Sequence, residues 1–122
     1  MWDGVNRRIS LRAEYPCLIT VRRDTHSPLS ILTHTKDISG GGVRVIIGER
    51  IERMTGVDLE IDLMDTLPTI SSKGKIQWVE EIPSERKGKS PHYSLGIQFT
   101  SLKDKDRQRI KKIVEHLLGK KS

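Results

Sequence analysis

Two short polar segments hold the residues whose types and spacing could do chemistry. Near the N-terminus, Arg8-Ile-Ser-Leu-Arg12 sets two guanidiniums four residues apart, and Arg7 adds a third directly before them. Further on, Asp37-Ile-Ser39-Gly-Gly-Gly42 combines a carboxylate, a hydroxyl and a run of glycines. A guanidinium fork can bond phosphate oxygens bidentately or grip the O6/N7 edge of guanine. An ionised Asp accepts from donors such as guanine N1–H and N2–H, and Ser39 can donate or accept. A glycine such as Gly42 lets ligand and backbone approach with no side chain between them. The two segments are therefore complementary halves of a site for an anionic guanine nucleotide. Each half also has a plainer reading: a solvated basic arm for the arginines, and ordinary turn chemistry for Asp37 to Gly42.

Other reactive side chains fit such a site less well. Trp78 could stack on a purine, yet it shares a period-2 face with Ile76, which favours a place in the core. His26, His34, His92 and His116 are scattered without ligand-like spacing to cysteine or carboxylate, so no metal site is expected. Cys17 is the single cysteine and lies in a strand-like segment, which predicts a small buried thiol and no internal disulfide. Lys103, Lys105, Arg107, Arg109, Lys111 and Lys112 are read as the solvated face of a helix, with a partner surface as the alternative.

These residues need a scaffold, and composition bounds it. The 122 residues suit one domain, large enough to bury a core without disulfides or structural metal. Twenty-two Lys and Arg against 16 Asp and Glu give a net charge of +6, which favours anionic partners. Five aromatic residues, two Trp, two Tyr and one Phe, are too few for the repeated stacking platforms of single-strand binders. No apolar run approaches the ~20 residues that span a bilayer, and the start lacks a leader-like stretch. The expectation is a soluble, intracellular, cytoplasmic chain.

The pattern along the chain is mostly period 2. Residues 1–13 read as a flexible arm and 14–122 as a single domain. Strands are expected over Tyr15 to Val21, Ser30 to Lys36, Val43 to Ile47, Val57 to Leu63, Gly74 to Glu80 and Tyr93 to Phe99, with turn chemistry at Asp24 to Pro28. Val57, Leu59, Ile61 and Leu63 alternate most clearly with acidic neighbours. Ser101-Leu-Lys-Asp104 resembles an N-terminal cap. Ile110, Ile113, Val114, Leu117 and Leu118 then mark a one-sided helix over about 102–118, with Gly119 as its stop. The fold class is all-β with a C-terminal helix: a small antiparallel barrel with the helix lying against it or closing an end.

Taken together, the chain resembles the PilZ domain family of bacterial receptors for the second messenger cyclic di-GMP. The Arg-x-x-x-Arg element matches Arg8 and Arg12, and the Asp/Asn-x-Ser-x-x-Gly element matches Asp37, Ser39 and Gly42. Gly56, Ile76-Gln-Trp-Val79 and Leu95-Gly-Ile-Gln-Phe99 also fall where that family's pattern puts them. The resemblance implies a six-stranded antiparallel β-barrel that binds the dinucleotide on its outside and catalyses nothing. It further implies that Arg7 influences ligand number, here favouring two ligands per chain. Binding would order the arm and change the surface offered to a downstream protein. The alternatives are a basic barrel that binds nucleic acid nonspecifically and a PilZ-like interaction module without ligand.

Overall fold

The computed structural model describes residues 12–23 and 30–118. Arg7, Arg8, Trp2, the Asp24 to Pro28 turn and Gly119 lie outside the described residues. Among the described residues, seven strands and one helix follow in order: β1 Arg12–Ala13, β2 Leu18–Arg23, β3 Ser30–Ser39, β4 Gly42–Ile47, β5 Gly56–Asp62, β6 Ile70–Ile82, β7 His92–Phe99 and α1 Asp104–Leu117. Every pairing is antiparallel. The sheet runs β3-β2-β5-β6-β7-β4, and the β3–β4 pairing closes it into a six-stranded barrel, with β1 added to the end of β3.

Alternation explains why these segments pair as they do. Ile19 and Val21 on β2, Val43, Val45 and Ile47 on β4, Leu59 and Ile61 on β5, and Leu95 and Ile97 on β7 are all buried in one core. Their charged neighbours Arg22, Arg44, Asp58 and Glu60 lie on the other face. Closing the sheet leaves none of the six barrel strands as an open edge, a liability that small β proteins must otherwise cover.

β2 begins later than the sequence suggests, because Pro16 has no N–H to give a ladder. Instead Tyr15 Oη donates to the Leu63 carbonyl, and the Thr35 hydroxyl donates to the Tyr15 carbonyl. Cys17 N donates to the Tyr15 carbonyl at 2.8 Å and to Thr35 Oγ1 at 3.2 Å. Cys17 is fully buried, and burial pushes its thiol above the ordinary range, which leaves it a packing residue.

The helix also starts later. Its N-cap is Lys103, with no side-chain cap bond, so Ser101 is not the cap. Ser101 Oγ instead accepts from the Lys73 amide at 2.9 Å and ties the end of β7 to β6. Asp104 and Asp106 occupy the first turn, where the helix dipole favours negative charge. Ile110 and Val114 are buried and join the barrel core, and α1 packs against β3 and β1. Leu117 and Leu118, expected on the buried face, are exposed.

The basic residues of α1 do not all solvate an outer face. Arg109 Nη2 donates to both Asp65 carboxylate oxygens at 3.0 and 3.1 Å, and its Nη1 to the Pro68 carbonyl at 3.0 Å. These bonds fasten the helix to the β5–β6 loop. Arg107 donates to the Gly40 carbonyl.

Candidate functional site

The described end of the first half of the split motif meets the second half. Arg12 is paired with Ser39, and Ala13 with Ile38, in the short β1–β3 ladder. The end of the basic segment is thereby part of the sheet, and it joins the sheet at the Asp37 to Gly42 segment. Gly40 and Gly41 form the whole connection between β3 and β4, so the second half of the motif is the tip of a tight hairpin.

Each residue of that tip has a distinct task. Ser39 is fully buried, and its Oγ accepts from the amides of Gly41 at 3.1 Å and Gly42 at 3.2 Å. Its hydroxyl holds the hairpin turn in place of facing solvent, a side-chain-to-backbone bond typical of serine at turns. Gly42 is bare for a packing reason: a Cβ there would lie 2.3 Å from the Ile97 carbonyl oxygen on β7. Arg107 and Lys111 reach the tip from α1, with Lys111 Cγ 3.2 Å from where a Gly40 Cβ would stand.

Asp37 reaches the outer wall through a β-bulge. Thr35 pairs with Val45 but Asp37 pairs with Arg44, so Lys36 is an extra residue in β3. Thr35 is buried toward the core, and strict alternation would put Asp37 on the same side. The bulge turns it outward, opposite Arg44, whose Nε donates to Asp37 Oδ2 at 2.8 Å.

A second bulge does the same for Trp78. Ile76 pairs with Ile97 and Trp78 with Gly96, which makes Gln77 the extra residue in β6. Ile76 is fully buried, whereas Trp78 is 41% exposed, which corrects its expected place in the core. Its indole lies over Gly96: a Cβ on that glycine would sit 2.2 Å from Trp78 Nε1 and 2.3 Å from Cε2. Bulges commonly re-aim side chains beside functional sites.

The registers place these residues in one row. Asp37 on β3 faces Arg44 on β4, Arg44 faces Gly96 on β7, and Gly96 faces Trp78 on β6. Neighbouring strands lie ~4.8 Å apart, so carboxylate, guanidinium, bare backbone and indole succeed one another across the barrel wall. Such a row can accept from a purine's donors and stack a base. Arg44 and Gly96 carry no sequence signal that marks them for a site. Only the strand register reveals them.

Other features do not compete for this role. A cleft of about 490 Å³ lined by Thr55, Asp58, Lys73 and Lys75 lies along β5 and β6, away from the row, and there Lys73 Nζ already bonds Asp58 Oδ1 at 2.8 Å. Among the described residues no group of His, Cys, Asp or Glu is placed to hold a metal ion. No described helix is long and apolar enough to cross a membrane.

A closed six-stranded antiparallel barrel with one C-terminal helix, carrying a polar hairpin tip beside an entering basic segment, defines a PilZ-like fold. The PilZ domain model matches residues 6–116, and the chain belongs to that family. Among solved structures, it is similar to the Bacillus subtilis inhibitor of motility MotI/DgrA, with a TM-score of 0.77 and 16% identity, covering 95% of this chain and 54% of that one. The PilZ domain of YcgR from Escherichia coli, solved with c-di-GMP, is similar at a TM-score of 0.68 and 12% identity over 93% of both chains. The K. pneumonia MrkH–c-di-GMP complex has a TM-score of 0.69 and 22% identity, covering 94% of this chain and 54% of that one. The chain thus spans about half the length of MotI and MrkH. Among curated proteins, no sequence matches it.

Proposed function

We propose that this chain is a receptor for cyclic di-GMP that reports the bound messenger to a partner protein in the bacterial cytoplasm. The observation that carries this reading is the pairing of Arg12 with Ser39, which sets the basic segment beside a hairpin tip and an outward Asp37. Family membership and two similar structures solved with c-di-GMP support it.

In this reading Arg8 and Arg12 take the phosphodiesters or a guanine O6/N7 edge, and Asp37 accepts from guanine N1–H and N2–H. Ser39 and Gly42 keep the hairpin in shape. Trp78 stacks on an outer guanine, a contact worth roughly 1 to 3 kcal/mol by analogy with base stacking in nucleic-acid complexes. Arg7 meets the guanine face or phosphate of a second, stacked ligand, so two ligands bind per chain. Residues 1–13 close over the messenger, and the altered surface is what the partner reads. The chain binds and does not catalyse.

Calorimetric titration with cyclic di-GMP at physiological salt tests the reading. Saturable binding with two ligands per chain, undisturbed by excess GTP or duplex DNA, is the expected result. Binding of long polyanions that falls steeply with salt and shows no preference for the cyclic dinucleotide would instead identify a nonspecific nucleic-acid binder. Saturation at one ligand per chain would remove the role given to Arg7 alone.

A further inference from the structure

We propose that Arg44, which lies outside both halves of the split motif, sets the guanine selectivity of the site by holding the Asp37 carboxylate in its working orientation. The inference rests on the reading of the chain as a cyclic di-GMP receptor. Arg44 Nε donates to Asp37 Oδ2 at 2.8 Å, and Arg44 Nη1 lies 3.5 Å from Ser94 Oγ. The guanidinium is therefore fastened at one end to β3 and steadied at the other by a buried hydroxyl on β7.

The pair differs from the surface ion pairs of the molecule. Side-chain exposure is 34% for Arg44 and 13% for Asp37, against 38% and 46% for Arg23–Glu49 and 49% and 70% for Arg50–Glu52. Water screens the exposed pairs and leaves them with little effect, whereas Asp37 is held in a half-buried place. That place is set by the extra residue Lys36, which turns Asp37 to the outer wall, where Arg44 restrains its carboxylate.

Orientation matters because purines differ at the edge the carboxylate would read. Guanine presents N1–H and N2–H, both donors, to an acceptor-only carboxylate. Adenine presents an N1 lone pair to the same oxygens and is repelled. A carboxylate that loses one of its restraints discriminates less sharply between the two purines. Held by Arg44, it discriminates. Gly96, the next residue in the row, is covered by the Trp78 indole, so the indole stands on the barrel wall one register position beyond Arg44.

The test is calorimetry with cyclic di-GMP and cyclic di-AMP on the unaltered chain, Arg44→Ala, Arg44→Lys, Asp37→Ala and the Asp37→Ala/Arg44→Ala double variant, with folding checked by circular dichroism. Arg44→Ala is expected to weaken cyclic di-GMP binding about tenfold and to narrow the ratio of the two affinities, while Arg44→Lys recovers part of the loss. In the Asp37→Ala background, Arg44→Ala should change nothing further, because Arg44 acts through Asp37. If Arg44→Ala folds poorly, Arg44→Gln carries the same comparison. Undiminished selectivity in Arg44→Ala, or independent, additive losses in the double variant, overturns the role of Arg44 alone. Failure of the unaltered chain to bind cyclic di-GMP overturns the receptor reading itself.

Discussion

Arg12 stands opposite Ser39 in the β1–β3 ladder, so a residue of the basic segment and a residue of the glycine hairpin are neighbours in the sheet although far apart in the chain. This pairing fixes the backbone of Arg12 beside the hairpin tip.

Gly42 should tolerate no side chain. Its Cβ would meet the Ile97 carbonyl, a backbone atom that cannot swing aside without opening the β4–β7 pairing. Gly42→Ala is expected to destabilise the fold by about 1 to 3 kcal/mol, measured by urea unfolding. Unchanged stability would show that the two strands have slack at this point.

Gly96 underlies the position of Trp78. In a Trp2→Phe background, Gly96→Ala should push the indole off the barrel wall and shift its fluorescence emission to longer wavelength. Cyclic di-GMP should quench Trp78 in that background when Gly96 is intact. Quenching that survives Gly96→Ala at full amplitude would separate Trp78 from the ligand wall.

Arg107 couples α1 to the hairpin tip through the Gly40 carbonyl. Arg107→Ala should loosen the tip and lower cyclic di-GMP affinity severalfold while leaving helical circular dichroism intact, since Ile110 and Val114 still anchor the helix. A charged hydrogen bond of this kind contributes about 1.5 to 3 kcal/mol at most, part of which appears in binding. Equal affinities for the two proteins would confine Arg107 to a role in stability.

Asp65 gives the fold an acid-sensitive contact. Burial pushes its carboxyl up, but the hydrogen bond and charge of Arg109 with the Leu67 amide outweigh it, and the net shift is downward. A depressed folded-state value means the contribution to stability is present above the ordinary carboxylate range and is lost as pH falls through the folded value. Thermal unfolding across the acid range should show this loss, and Asp65→Asn should flatten that part of the profile. An identical slope in Asp65→Asn would assign the acid sensitivity to other carboxylates.

Alternation made most of the barrel legible in the sequence. Val57, Leu59, Ile61 and Leu63 are buried as their spacing predicts, and the β7 stripe from Leu95 to Phe99 likewise. The wall of the site was not legible, because a bulge inserts one residue and reverses every face beyond it. Lys36 and Gln77 look like ordinary strand residues, yet they decide that Asp37 and Trp78 point outward. Pairing partners were equally hidden, since nothing local announces that Arg44 will stand between Asp37 and Gly96. The direction in which α1 docks also depends on tertiary packing, which is why Arg107 and Arg109 reach barrel loops while the sequence shows only a basic helix face.

The most direct measurement compares the unaltered chain with an Arg8→Ala, Arg12→Ala double variant by calorimetric titration with cyclic di-GMP. Loss of two charge-assisted contacts should weaken binding by about 1.5 to 3 kcal/mol for each, roughly ten- to a hundredfold per arginine, with the unfolding midpoint little changed. Full affinity in the double variant would contradict the account, because the arm would then take no part in holding the messenger.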